Sequence, residues 1–389
     1  MNEQQKALVR ATVPVLREHG VALTTHFYQR MLSHNPELKH IFNQAHQHSG
    51  RQQQALASAV LAYAENIDDP SVLLPVVDKI AHKHTSLGIR AEQYSIVGKH
   101  LLASIQEVLG EAATPELVSA WAEAYQSLAD LFIGVESKLY QHSIQDELGW
   151  TGWRPFKVIK KVAESEEITS FYLAPTDNGP LPQFLAGQYI SVRIWLEEQR
   201  IYQPRQYSLS QAPGHDALRI SVKKEPGRDA HHQGVVSHWL HQNIEEGAIL
   251  DVSAPFGEFT LDKSTARPIV LLSGGVGITP MMAMAEEAMR KPELASNVAF
   301  LHCTRNAKVH AFKPTTDAWA KQGMEVRYFY DSDRKGEQQS APIDLKDTLQ
   351  AKFHDADVYL CGPTGFIKHY TEQLFAMGWP TERIHREAF

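Results

Sequence analysis

Pro204-Arg205-Gln206-Tyr207-Ser208-Leu209-Ser210 lies just past the midpoint of a 389-residue chain, between strand-like runs at 188–195 and 218–222. Tyr207, Leu209 and their neighbours alternate apolar with polar residues, the period of a strand with one buried face. A guanidinium, a phenol and a hydroxyl at this spacing suit a flavin laid along a barrel wall. Arg205 can hold a pyrophosphate, Tyr207 can lie against the isoalloxazine, and Ser208 can bond the ring edge. Arg205-Gln206-Tyr207-Ser208 by itself fits a plain edge strand equally well, so the flanking sequence decides the reading.

Upstream stands Gly187-Gln188-Tyr189, and downstream Gly234-Val235-Val236-Ser237, a loop entering a helix whose free N–H groups and Ser237 hydroxyl suit a pyrophosphate. Short runs rich in β-branched and aromatic residues at 157–162, 168–173, 189–196, 206–210, 218–222 and 249–252, with a turn at Asp177-Asn178-Gly179-Pro180, predict an antiparallel barrel. After Thr265, buried-type strands at 269–272, 298–302, 326–330 and 358–360 alternate with helical runs, which predicts a parallel α/β domain.

The first of these strands runs into Gly274-Gly275-Val276-Gly277-Ile278-Thr279-Pro280. Glycines let the backbone approach phosphates, Thr279 is expected to cap a helix over 281–289, and Pro280 to open it. Cys361-Gly362-Pro363 ends another strand at the same sheet edge, and Cys361 is expected to face a nicotinamide. A glycine turn without ligand and a Cys361 that only packs are the alternatives.

Residues 1–147 carry helical apolar periods throughout. Positions 8, 9, 13 and 16, then 23, 27, 31 and 32, mark two helices, and the clearest stripe is Leu117, Trp121, Tyr125, Leu128, Phe132, Val135, Leu139, so one all-α core is expected. His84 falls on the apolar face of Val76, Val77, Ile80, Ala81 and Leu87, whereas His82 points elsewhere; such a histidine fits the core as well as a metal. Glu136 lies at the edge of the last stripe, where a carboxylate costs several kcal/mol, roughly, unless paired, and Tyr94 can supply a partner. A surface ion pair is the other reading of Glu136.

The net charge of −7 argues against nucleic acid as a partner, and no apolar run reaches the ~20 residues of a membrane span. Two cysteines, Cys303 and Cys361, make neither a disulfide framework nor a cysteine metal cluster, which fits a reducing cytoplasm. Most of the 20 histidines, the pair His231-His232 included, show no ligand spacing and are expected at the surface.

In order and spacing, these motifs resemble those of the bacterial flavohaemoglobins, a globin fused to a ferredoxin-reductase-like FAD and NAD(P)H module. The resemblance covers the whole chain and implies a multidomain protein: an all-α globin at 1–147, an antiparallel FAD-binding β-barrel at 148–264 and a parallel-sheet NAD(P)H-binding α/β domain at 265–389. It implies one haem b and one FAD, with NAD(P)H as substrate. His84 becomes the proximal haem ligand, with Tyr94 and Glu136 as its supporting pair. Tyr28, Gln52 and Leu56 become distal residues, and Phe42, six after Pro36 at the globin corner, stacks on the porphyrin. Gln188, Tyr189, Arg205, Gln206, Tyr207, Ser208, Gly234, Val236 and Ser237 become flavin contacts, and Glu387-Ala388-Phe389 places Phe389 against the flavin. Thr304-Arg305 stands where related reductases hold the 2′-phosphate of NADPH, so NADPH is expected alongside NADH; a solvated loop charge is the other reading of Arg305. Departures from the family pattern are the end at Phe389, Gly275 and Ala388 at variable positions, and the lengthened loop 226–233 ahead of the pyrophosphate contacts.

The implied activity is nitric oxide dioxygenation: NAD(P)H reduces FAD, FAD reduces haem, and nitric oxide with dioxygen becomes nitrate. A monomer is expected. Competing readings are a reductase of another oxidant, such as a hydroperoxide or ferric chelate, and a dioxygen or nitric oxide sensor. A sensor would lack a recognisable output domain and would spend more than half its length on electron delivery.

Overall fold

The computed structural model describes the chain apart from residues 45, 46, 48, 146–148, 228–233 and 332–342. His231, His232, most of the loop 226–233 and the 147/148 border lie outside the described residues. The contacts divide the chain into two compact units, 1–153 with 191–205, and 154–190 with 206–389.

The first unit is built on helices α1 (Glu3–Ala11), α2 (Val13–His34), α3 (Arg51–Glu65), α4 (Leu74–Leu87), α5 (Ala91–Leu109) and α6 (Pro115–Gln145). Asn2 and Gln5 form a reciprocal capping box at the start of α1. The first helix break falls earlier than the apolar spacing predicts. Thr12 turns its hydroxyl back to the Val9 carbonyl (2.6 Å) and Pro14 sits in the first turn of α2, so Val13 and Leu16 share a helix with Leu23, Phe27 and Met31. Gly88, with φ +76°, closes α4 in the left-handed conformation that glycine adopts without strain. Phe27, Met31, Tyr63 and Trp121 fill the core.

Helices α5 and α6 approach so closely at Gly98 that an added Cβ would lie 2.5 Å from the Tyr125 ring. Tyr125 in turn donates to the Tyr94 carbonyl (2.6 Å). Gly98→Ala is therefore expected to cost about 1–3 kcal/mol by overpacking. Thermal unfolding of the helical unit should shift down by several degrees; an unchanged midpoint would show that the helices can part freely.

In the second unit, β1 (Arg154–Ala163), β2 (Ile168–Pro175), β3 (Tyr189–Leu196), β4 (Ile201–Ser208), β5 (Leu218–Lys223) and β6 (Ile249–Val252) follow the order β4-β3-β6-β1-β2-β5. Pairs β1–β2, β1–β6 and β2–β5 are antiparallel, and a bridge from Leu209 to Ile220 joins the outer ends, closing the expected barrel. Strand β4 begins five residues before the predicted start. At its end Ser208, Leu209 and Ser210 are all buried, so both faces are covered where the sequence suggested one.

Part of that sheet belongs to the helical unit. In the segment 191–205, Gln203 is only 1% exposed; its amide donates to the Lys39 (3.1 Å) and Phe42 (3.3 Å) carbonyls and accepts from the Gln44 N–H (3.1 Å). His40 accepts from the Tyr202 N–H (3.0 Å) and stacks on Trp195 at 6.2 Å, and Ser191 donates to Ser86 (2.9 Å).

After α7 (Val235–Asn243) comes an all-parallel sheet of β7 (Ile269–Gly274), β8 (Val298–Thr304), β9 (Glu325–Tyr330), β10 (Asp357–Gly362) and β11 (Ile384–Ala388), ordered β11-β10-β7-β8-β9. Helices α8 (Ile278–Ala288), α9 (Lys313–Lys321), α10 (Leu345–Thr348) and α11 (Thr364–Ala376) complete the domain. Leu271 packs on one face with Met281 and Phe300, while Val270 and Leu272 pack on the other with Phe329 and Leu374. The strand order reverses between β7 and β10, and ligands of such sheets bind beyond that point. Strand β11 was not predicted: Ile-His-Arg-Glu-Ala has no buried-strand pattern because it forms the sheet edge.

Among the described histidines, His100, His302 and His310 are buried. Each is held by hydrogen bonds, to Arg30 and Asn35, to Ser273, and to Tyr330 respectively. No helix among the described residues is long and apolar enough to cross a membrane.

Candidate functional site

Helix α4 presents His84 to α5 and α6. Its Nδ1–H donates to Glu136 Oε1 (2.8 Å) and lies 3.1 Å from the Tyr94 hydroxyl, which donates to the same carboxylate oxygen (2.6 Å). Glu136 is 3% exposed, so these donors offset the desolvation of its charge. Burial, then the neighbouring Glu136 charge, raises the Tyr94 phenol and keeps it a donor. With the proton fixed on Nδ1, the lone pair is on Nε2, and the His84 side chain retains 28% exposure. The surface ion-pair reading of Glu136 is excluded by its burial. His82, half-buried, has Asp78 as its nearest charge influence.

Elsewhere in the unit, Tyr28 is 6% exposed and packs edge-on to Phe27 (4.9 Å) and Phe42 (5.7 Å). Burial pushes its phenol pKa up, and a hydrogen bond from Gln52 opposes the rise. Gln52 Oε1 accepts from Gln47 Nε2 (2.8 Å). Gln53 braces Gln47 through its carbonyl (3.0 Å), and Leu56 packs against the core.

In the second unit, Gln188 donates to the Gly257 carbonyl (3.3 Å), and Tyr189 pairs its backbone with Phe256. Gln206 and Tyr207 are half-buried at the end of β4, and Ser208 is buried. Arg205 donates to the Pro204 carbonyl (2.7 Å). Gly234 is the N-cap of α7, and the Ser237 hydroxyl donates to its carbonyl (2.9 Å); Val236 is buried. The Phe389 N–H donates to the Gly362 carbonyl (3.2 Å), so the last residue is tied to β10 while its ring is half-exposed.

A cavity of about 440 Å³ opens beyond β7, with Gly274, Gly275, Val276, Thr304, Arg305 and Pro363 on its wall. Gly275, at φ +55°, has open space where a Cβ would stand. A Cβ on Gly274 would lie 2.9 Å, and one on Gly362 3.0 Å, from the Phe366 ring. Gly277 instead allows close packing, since a Cβ there would lie 2.2 Å from the Cys361 carbonyl oxygen. Helix α8 starts at Ile278, so Thr279 is not its cap; its hydroxyl donates to the Val276 carbonyl (3.0 Å). Ile278, Thr279 and Pro280 are buried rather than on the cavity wall, and Cys361, at 0% exposure, packs in the core beside Met281.

The family models for globins (residues 25–131), the oxidoreductase FAD-binding domain (155–261) and the oxidoreductase NAD-binding domain (271–372) all match. The flavohemoprotein of Bordetella parapertussis is 54% identical over 399 aligned residues, covering 100% of this chain and 98% of that protein. This chain is a flavohaemoprotein. The crystal structure of the Malassezia yamatoensis flavohemoglobin, with FAD and heme bound, superposes with a TM-score of 0.88 at 29% identity, over 100% of this chain and 99% of that one. The FAD/NAD-binding domain of the Vibrio cholerae nitric oxide dioxygenase covers 61% of this chain and 98% of its own, at 36% identity and a TM-score of 0.57.

The flavohaemoprotein's residues fit its cofactors. The Nδ1 proton of His84 is given to Glu136, so its Nε2 lone pair is of the kind that suits a haem iron. The α7 N-terminus at Gly234 suits a pyrophosphate of FAD, and the open side of Gly275 suits a dinucleotide. Sequence reasoning missed Gln47, Gln203 and Phe366. The first two are polar residues without a periodic partner, and Phe366 reads as an ordinary helical apolar position.

Proposed function

We propose that this flavohaemoprotein is a nitric oxide dioxygenase that detoxifies nitric oxide in the cytoplasm, with dioxygen and NAD(P)H as its other substrates. Bound FAD converts a two-electron hydride donation into single electrons, and bound haem supplies an iron that takes a diatomic ligand. The rest of the reading concerns the chain's own groups. Glu136 and Tyr94 hold the His84 proton on Nδ1 and make its other nitrogen a stronger donor. The observation that carries the proposal is the buried Tyr28 phenol with Gln52 as its polar influence, a hydroxyl able to donate a hydrogen bond to a ligand gaining negative charge. The name of the Vibrio cholerae relative supports the same reaction.

Each nitric oxide converted to nitrate with dioxygen takes one electron, and NADH gives two. Aerobic turnover with added nitric oxide should therefore yield two nitrates for each NADH. Consumption of NADH without nitrate, with faster turnover of an added hydroperoxide or ferric chelate, would assign the chain to another oxidant.

A further inference from the structure

The cavity beyond β7 is bordered on one side by the end of β8, where Thr304 and Arg305 stand. In dinucleotide sites this position faces the adenosine ribose, and an arginine there accommodates a 2′-phosphate. Here the guanidinium is already engaged. Arg305 Nη2 donates to Glu167 Oε1, contributed by the turn that leads from β1 into β2. The hydrogen bond to Glu167 is the main influence holding the arginine in its charged form. Glu167 lines the same cavity, and so does Asp331, whose N–H donates to the Thr304 carbonyl (3.1 Å). The other lysine or arginine on the described wall, Lys223, is paired with Glu225 (3.1 and 3.2 Å). Both cations thus have carboxylate partners, and Asp331 adds a further negative charge.

We infer that Glu167 is the specificity-determining residue for the nucleotide: it occupies the Arg305 guanidinium, so the site favours a ribose 2′-hydroxyl over a 2′-phosphate. A hydroxyl can share the Glu167 carboxylate as a donor without displacing Arg305. A phosphate must take the guanidinium from Glu167 and leave that carboxylate facing two further negative charges. NADPH is bound, but more weakly than NADH. The inference rests on the cavity taking a nicotinamide dinucleotide and is independent of the final oxidant.

The test uses the full-length holoprotein, with flavin reduction by NADH and NADPH followed in stopped flow and no nitric oxide present. Glu167→Gln keeps the side-chain size and removes the charge. It should raise the NADPH/NADH ratio of kcat/KM roughly tenfold, through KM for NADPH with kcat unchanged. Competition by adenosine 2′,5′-bisphosphate against 5′-AMP should shift by the same factor, which a change in hydride-transfer geometry would not produce. In Glu167→Gln/Arg305→Ala the gain should vanish. A ratio within twofold of wild type in Glu167→Gln overturns the inference, as does an equal gain in the double variant, because the carboxylate would then act without the guanidinium.

Discussion

His84→Ala is expected to abolish haem-linked oxidation of nitric oxide while leaving flavin reduction by NADH at the wild-type rate. Among the described residues, the His84 imidazole combines an Nδ1 proton given to Glu136 at 2.8 Å with a partly exposed side chain on an apolar helix face. Removing it leaves Glu136 buried with Tyr94 as its remaining side-chain donor, which should cost about 1–3 kcal/mol of stability in the helical unit. The parallel sheet and the barrel apart from 191–205 form their own compact unit, so the flavin half-reaction serves as an internal control for folding. A normal oxy-haem spectrum in His84→Ala would move the assignment to His82.

Tyr28→Phe should release dioxygen roughly ten- to a hundredfold faster, since hydrogen bonds to charged groups contribute about 1.5–3 kcal/mol. The substitution keeps the ring that packs on Phe27 and Phe42 and deletes only the hydroxyl. A tyrosine that merely packs would show little change. The Gln52 amide, freed from Tyr28, can turn to the ligand and partly compensate, which sets the lower figure. Nitric oxide turnover at low dioxygen should fall in parallel, with NADH-driven flavin reduction unaltered. A stopped-flow dissociation rate within about twofold of wild type would remove Tyr28 from the reaction.

The His84–Tyr94–Glu136 group was legible because each member sits on or beside a strong helical stripe, and a carboxylate at a stripe's edge demands a partner. The glycine loop was legible because a run of buried residues ending in Gly274 has few other uses. The same loop was misread in detail. Spacing alone made Thr279 a cap, whereas the tight turn at Gly275–Gly277 starts the helix a residue sooner and turns the Thr279 hydroxyl inward. Edge strand β11 escaped because an edge needs no apolar alternation, and its partner β10 lies far back in sequence. Glu167 and Gln203 escaped for a related reason. Their roles rest on groups at Arg305, Lys39 and Phe42 that only the folded chain brings near, and no local period announces them.

The segment 191–205 bears on how such a protein can be taken apart or recombined. Cut at residue 153, the helical part would lose Gln203, leaving the Lys39 and Phe42 carbonyls and the Gln44 N–H to find water, and His40 would lose both Trp195 and Tyr202. Phe42 packs on Tyr28, so the disturbance would reach that ring directly. An isolated globin made this way is a different molecule from the globin within the chain. A chimera that exchanges reductase modules therefore has its natural seam inside the barrel, with the hairpin travelling alongside the helices it was selected to fit.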